Sequence, residues 1–219
     1  MWCIQKITLE YRKRMYHILY LYMKKYDPKH PVIGLDEKPK QLIGDERKPI
    51  LMSPGRPEKY DYEYKRNGTA NIFMAVDFKG GTRATRVTSH RTKKDFAKFI
   101  KHLVDHVFPD AIKLHIVLDN LNTHNKSALY ETYSKKEADR ILKKIKFHYT
   151  PKHGSWLNVA EIEIGSMDTQ CTRRRIESKA LLRSEVQAWT ARRNKIKDTI
   201  DWRFTRQKAD RKLSKYYVT

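Results

Sequence analysis

The sequence predicts an α/β fold: a mixed five-stranded sheet with helices on both faces. Strand-like runs recur at residues 32–35, 71–78, 83–88, 113–118 and 146–150. Amphipathic helical stretches separate the later runs but not the first three. The first three can therefore form an antiparallel meander. The later ones, joined through helices, imply parallel pairing.

The elements follow in order. Residues 8–25 repeat Leu9, Met15, Ile18, Leu19 and Tyr22 at roughly helical spacing. Asp27-Pro28-Lys29-His30-Pro31 ends that helix. The run 32–35 reads as a short buried strand closed by Asp36-Glu37-Lys38-Pro39. Residues 40–68 are polar and hold Pro49, Pro54, Gly55 and Pro57, so they read as irregular. Strand 71–78 turns at Gly80-Gly81 into strand 83–88. Residues 92–107 form an amphipathic helix with Phe96, Phe99, Ile100, Leu103, Val104 and Val107 as its core stripe. Strand 113–118 ends in an acid, Asp119. Helices near 125–133 and 135–144 follow, the second opening on Ser134 and Glu137 with capping-box spacing. After strand 146–150, residues 151–155 are a loop and a helix runs from about 158 to 171. The remainder is helical and basic, with 15 Lys or Arg against 5 Asp or Glu over 171–219. Three segments result: an N-terminal helix (1–30), a core (31–172) and a basic helical extension (173–219).

The 219 residues hold 47 Lys plus Arg against 25 Asp plus Glu, a formal charge of +22. An ordinary solvated surface mixes both signs, so this excess points to a polyanionic partner, nucleic acid first. No long apolar run or isolated basic amphipathic helix points to a membrane. Cys3 and Cys171 stand 168 positions apart, which is neither a disulfide framework nor a metal pair. Both read as free thiols in a reducing compartment. Met1-Trp2-Cys3-Ile4 opens no secretion signal, so the expected place is the cytoplasm, on DNA.

Asp36 and Asp119 each read as ending a short apolar strand. If those strands are parallel neighbours, both carboxylates emerge on one sheet edge, where ligand sites of open α/β sheets lie. Their repulsion is relieved by a divalent cation, and oxygen donors suit magnesium or manganese. The plainer reading is two acids ending strands in solvent. The last helix offers Glu161 and Glu163, two positions and about 200° apart, so only one can join the site. Glu161 also stands at capping-box distance from Asn158, and residue physics alone leaves this choice open.

Three segments carry a resemblance. They are Gly34-Leu35-Asp36-Glu37-Lys38, Val117-Leu118-Asp119-Asn120 with His124, and the run from Tyr149 through Ser155, Leu157 and Asn158 to Glu161. In this order they resemble the three motifs of DDE transposases, nearest the bacterial insertion-sequence 630 type of the Tc/mariner superfamily. Residues 53–73 also resemble that group. The resemblance is strong over about 30–170. It implies a ribonuclease H-like fold, Asp36, Asp119 and Glu161 as ligands of two Mg2+ or Mn2+ ions, and Glu161 as the third acid. It implies cutting of a DNA strand at transposon ends and transfer of the freed 3′-hydroxyl to target DNA. A dimer on double-stranded DNA follows, because transposition joins two ends. Asn120, His124, Lys38 and Asn158 are expected to support the ligands or touch DNA. Lys152, His153, Arg173, Arg174, Arg175, Arg192 and Arg193 are expected to clamp phosphates without reading sequence.

Two departures stand out. The stretch from Asp119 to Glu161 is longer than in the best-known members, with the excess expected within 125–144, where a surface insertion is cheap. One helix ahead of the first strand leaves no room for the helix-turn-helix that members use to read transposon ends. A fragment, a split-gene product or a relic would each carry that departure. The rival functions are a ribonuclease H-like nuclease without strand transfer, and an inactive or domesticated transposase that only binds DNA.

Overall fold

The computed structural model describes residues 6–218; Cys3 and the N-terminal stretch searched for a secretion signal lie outside them. Helix α1 (Leu9–Met23) starts where the Thr8 hydroxyl accepts the Tyr11 N–H at 3.2 Å. Five strands follow: β1 (Val32–Asp45), β2 (Tyr64–Asp77), β3 (Thr82–Thr88), β4 (Leu114–Leu118) and β5 (Ile145–Tyr149). Their order across the sheet is β3-β2-β1-β4-β5. The first three pair antiparallel and β1-β4-β5 pair parallel, as the connections demand. Gly81 makes the β2–β3 turn at φ 74°, a left-handed conformation open to glycine.

Strand alternation sends side chains to two different layers. One face of the sheet gives Ile33, Leu35, Phe73, Ile116 and Leu118 to a core under α2 (Lys93–His102), α3 (Ser127–Thr132) and α4 (Lys135–Lys144). There Phe96, Phe99, Ile100, Leu103 and Val104 are buried, and a π-helical turn, Leu103–Val107, continues α2. The other face gives Val76 and Val117 to α1 and the start of α5 (Ala160–Met167), which another π-helical turn continues through Asp168–Thr172. Further along that face Ile72, Met74 and Val87 meet Leu182, Val186 and Trp189 of α6 (Lys179–Ile196). Helix α7 (Arg206–Leu213) closes on α1 through the buried Ala209. Residues 173–219 thus supply core, not only charge, and Trp202 stacks edge-on against Tyr22 at 4.8 Å between centroids.

The sequence reading errs most at residues 40–68. Strands β1 and β2 each run 14 residues and pair from Ile33↔Asp77 out to Asp45↔Tyr64, with an irregularity between Gln41 and Ile43. The cause is the sheet's shape. Strand β4 pairs with β1 only at residues Val32, Ile33 and Gly34, so beyond them one side of β1 is an edge. An edge tolerates Pro39 and polar residues, which makes the segment look unlike a central strand. Leu42, Ala70 and Ile72 seat this arm against Ile176 and α6. The Ser134 hydroxyl accepts the Glu137 N–H, but the Glu137 carboxylate turns to Lys101 and Arg140 instead of closing a capping box. Cys171 is a buried, unpaired thiol. Among the described residues no helix is long and apolar enough to cross a membrane.

Three histidines bind α1 to the parallel strands. His17 Nε2 and His148 Nδ1 are 2.8 Å apart, and His148 Nε2 and His115 Nδ1 are 2.9 Å apart. Burial, with the charges of Lys146 and Lys24 nearby, lowers His17 and His115, and burial with those two neighbouring histidines pushes His148 down to about 3. The folded chain therefore refuses protons that the unfolded chain binds below its ordinary histidine value of about 6.5. Stability contributed by the neutral trio is present above about pH 6.5 and falls as pH drops toward 3. The slope approaches about 1.4 kcal/mol per pH unit for each refused proton. Thermal unfolding between pH 7 and 5 should show a falling midpoint, and His148→Gln should flatten that fall. An unchanged slope in the variant would exclude the trio as its source.

Candidate active site

The parallel register builds the site. Gly34 pairs with Val117, so two residues further along each strand bring Asp36 and Asp119 side by side at the end of β4. Asp36 is not at a strand end, as the sequence suggested; it lies inside the longer β1, where β4 stops and β1 runs on with β2 alone. Asp119 follows the last residue of β4, and its Oδ1 accepts the Leu121 N–H at 3.1 Å.

Helix α5 is pressed onto this point. A Cβ on Gly34 would lie 2.6 Å from Val159 Cγ1, 2.7 Å from the Ala160 nitrogen and 2.9 Å from Asn158 Oδ1. The fully buried Asn158 donates from Nδ2 to the Leu35 carbonyl at 2.8 Å and to Asp36 Oδ2 at 3.3 Å, and its Oδ1 accepts the Ala160 N–H at 3.2 Å. Asn158 therefore ties β1 to the helix start instead of forming a capping box with Glu161. Gly34→Ala should push α5 off β1, at a cost of about 1–3 kcal/mol from overpacking against backbone. A lowered unfolding midpoint together with lost activity is the expected result; a wild-type midpoint would show that α5 is loosely seated.

The two glutamates of α5 part company. Glu161 lies exposed in the first turn, close enough to Asp36 to act on its ionisation. Glu163 is fully buried and binds Arg83 and Arg193, so it serves the interior.

The electrostatics differ between the aspartates. Burial, with the charges of Asp119, Glu37 and Glu161, pushes Asp36 up to about 7, although the Glu37 N–H donates to it at 2.8 Å. Burial also works against the Asp119 charge, yet the His124 and Leu121 hydrogen bonds hold its carboxyl below the usual value. His124 is fully buried, with Nδ1 2.7 Å from Asp119 Oδ1 and Nε2 2.6 Å from Glu37 Oε1. Burial alone would lower it, but the two carboxylates hold it up at about 9. The carboxylates around Asp36 are oxygen donors whose like charges raise it, the chemistry a divalent cation relieves. Among the described residues, no three of His, Cys, Asp and Glu already close into a metal cage. Open sites with few protein ligands are usual for magnesium, which keeps waters and takes phosphate oxygens.

The remaining expected residues scatter. Asn120 Nδ2 donates to the Thr150 carbonyl at 2.7 Å, and its Oδ1 accepts from Arg14 at 3.3 Å, bracing the β4–β5 edge. Lys38 reaches Asp168 at 3.1 Å beside the site. Lys152 and His153 are exposed in the loop after β5, His153 with φ 61°, a strained backbone of the kind that clusters at functional sites. Arg173 and Arg192 are exposed and share a cleft of about 450 Å³ with Arg174, which pairs with Glu185 at 2.9 Å. Arg175 and Arg193, expected to clamp phosphates, spend their donors inside the protein. Arg175 binds Asp45 and the carbonyls of Asp61 and Glu63; Arg193 binds Glu163 and Asp198.

Sequence reasoning missed Glu37. The signal was available: Ile33 and Leu35 share its strand face and are core, so an acid next in that stripe must be buried and paired. Arg91, whose charge helps to lower Asp119, was also missed.

The chain resembles solved Mos1 transposase complexes. Against the Mos1 mariner paired-end complex with Mn it gives a TM-score of 0.57 at 14% identity, covering 99% of this chain and 62% of that one. Against the Mos1 transposase paired-end complex with left transposon end the values are 0.54 and 15%, covering 87% and 57%. The Mos1 strand transfer complex gives 0.54 and 15%, covering 87% and 56%. The chain thus spans about three fifths of the solved chains it matches, and the likeness establishes a ribonuclease H-like fold. No curated protein shows significant similarity to it. The family model described as DDE superfamily endonuclease matches residues 31–183, most of the chain, and the chain belongs to that family.

Proposed function

We propose that the chain is the catalytic core of a DNA transposase of the insertion-sequence 630 type, with Asp36, Asp119 and Glu161 as its three acids. The observation that carries this reading is the register that sets Asp36 beside Asp119 under the first turn of α5. Bound by these acids, two Mg2+ or Mn2+ ions supply activation of an attacking oxygen and neutralise charge on the phosphate. The protein's own part is to place the ligands. Asn158 ties Asp36 of β1 to the start of α5, and the bonds from His124 and the Leu121 N–H fix Asp119. Lys152, His153, Arg173, Arg174 and Arg192 are exposed and suited to hold phosphates, which positions DNA without reading bases. Arg175 and Arg193 act instead as internal struts. The attacking oxygen is water in the cutting step and the freed 3′-hydroxyl in the joining step, on a dimer that holds both ends.

The test is a cutting and joining assay on end-containing duplex and target DNA with Mg2+ or Mn2+, and with chelator. Metal-dependent cutting followed by joining is expected. Cutting with no joining would replace this reading with a plain nuclease. DNA binding with no cutting under either metal would replace it with an inactive relic.

A further inference from the structure

We infer that Glu37 is a positioning residue for metal binding: through His124 it fixes the orientation of Asp119. The inference rests on the proposed role of Asp119 as a ligand.

Glu37 follows Asp36 in β1, and strand alternation turns it to the opposite face, in line with Ile33 and Leu35 under α2. Its side chain is only 3% exposed. A carboxylate buried in an apolar layer is costly unless paired, and its partner is His124, at 2.6 Å. His124 packs against Phe96 at 4.9 Å between centroids, which leaves the ring little room to turn. Its other nitrogen meets Asp119 Oδ1 at 2.7 Å. The chain Glu37–His124–Asp119 therefore runs from the α2 layer, past the end of β4, to the cluster on the sheet edge. With Oδ1 occupied by His124 and the Leu121 N–H, the rotamer of Asp119 is set and Oδ2 is left for a cation. Partners that orient metal ligands in this way commonly govern affinity. An apolar residue would fill the Glu37 position at lower cost, so packing alone does not account for an acid there.

The test is Mn2+ binding to the whole chain by calorimetry, with unfolding midpoints alongside. Glu37→Met keeps the length and removes the acceptor; Glu37→Gln keeps an oxygen for His124. Glu37→Met should weaken Mn2+ binding at least about tenfold, and Glu37→Gln should recover most of that loss. A purely structural role predicts a lower midpoint with unchanged Mn2+ affinity, and that result overturns the inference. If Glu37→Met does not fold, Glu37→Asp, whose carboxylate falls one methylene short of His124, carries the same expectation. Asp119→Asn separates the two readings. If it loses Mn2+ while the Glu37 variants bind normally, Glu37 alone is misassigned. If it binds Mn2+ like wild type, the ligand role of Asp119 fails and the inference falls with it.

Discussion

Asp119→Asn is expected to abolish metal-dependent DNA cutting, by about 10³-fold or more, while leaving the fold and DNA binding in place. The substitution keeps size and removes the negative charge. An amide still accepts one hydrogen bond, so the Leu121 N–H keeps a partner. His124 retains Glu37, so no charge is stranded in the interior. What is lost is the charge of the proposed metal ligand, and a bound cation supplies several kcal/mol of charge stabilisation in the transition state. The exposed basic residues that would hold DNA, among them Lys152, Arg173 and Arg192, do not touch Asp119. Single-turnover cutting and a gel-shift titration read the two properties separately. A variant cutting within tenfold of wild type would remove Asp119 from the site.

Glu163→Ala should cost the chain about 3–5 kcal/mol, the usual penalty for stranding a buried charge. Glu163 Oε1 and Oε2 accept Arg83 Nε and Nη2 at 2.9 and 3.1 Å, and Arg193 Nε and Nη2 at 2.9 and 3.2 Å. The Arg83 side chain is fully buried, and its remaining donor turns to the Gly81 and Asp198 carbonyls. Removing the carboxylate leaves the buried Arg83 guanidinium without its counterion and leaves the nearly buried Arg193 with Asp198 alone. Domains hold only about 5–15 kcal/mol in total, so a large share of this chain's stability should be lost. The paired replacement Arg83→Met with Glu163→Met should regain a large part of the loss, since apolar side chains of similar volume often substitute for a buried ion pair. Denaturant unfolding of wild type and the two variants decides it. A Glu163→Ala midpoint near wild type would mean that the network contributes little. Glu161→Gln, two residues away, should spare stability and silence cutting.

That contrast shows where sequence was enough. Periodicity placed all five strands and the helices between them, because strand and helix periods are local properties. It also put Glu161 and Glu163 on opposite faces, but helix geometry could not say which face met the site. The answer lies in Arg83, 80 positions before Glu163 and recognisable only once the fold brings the start of β3 within side-chain reach of α5. Arg193 and Arg175 show the same limit. In sequence they are members of a basic tail; in the fold they bind acids and carbonyls brought to them from elsewhere.

By itself the sequence determined the succession of strands along the chain, the parallel pairing that helical crossovers imply, the basic charge and the candidate acids. Only the tertiary structure decided that β4 stops near the start of β1, which puts Asp36 next to Asp119 and leaves the rest of β1 to pair with β2 alone as an arm. The physical reason is that strand length and pairing are settled by what lies alongside. Edge position, burial and ion pairs are properties of neighbours distant in the chain, and Glu37, buried against His124 87 positions later, is their clearest product here.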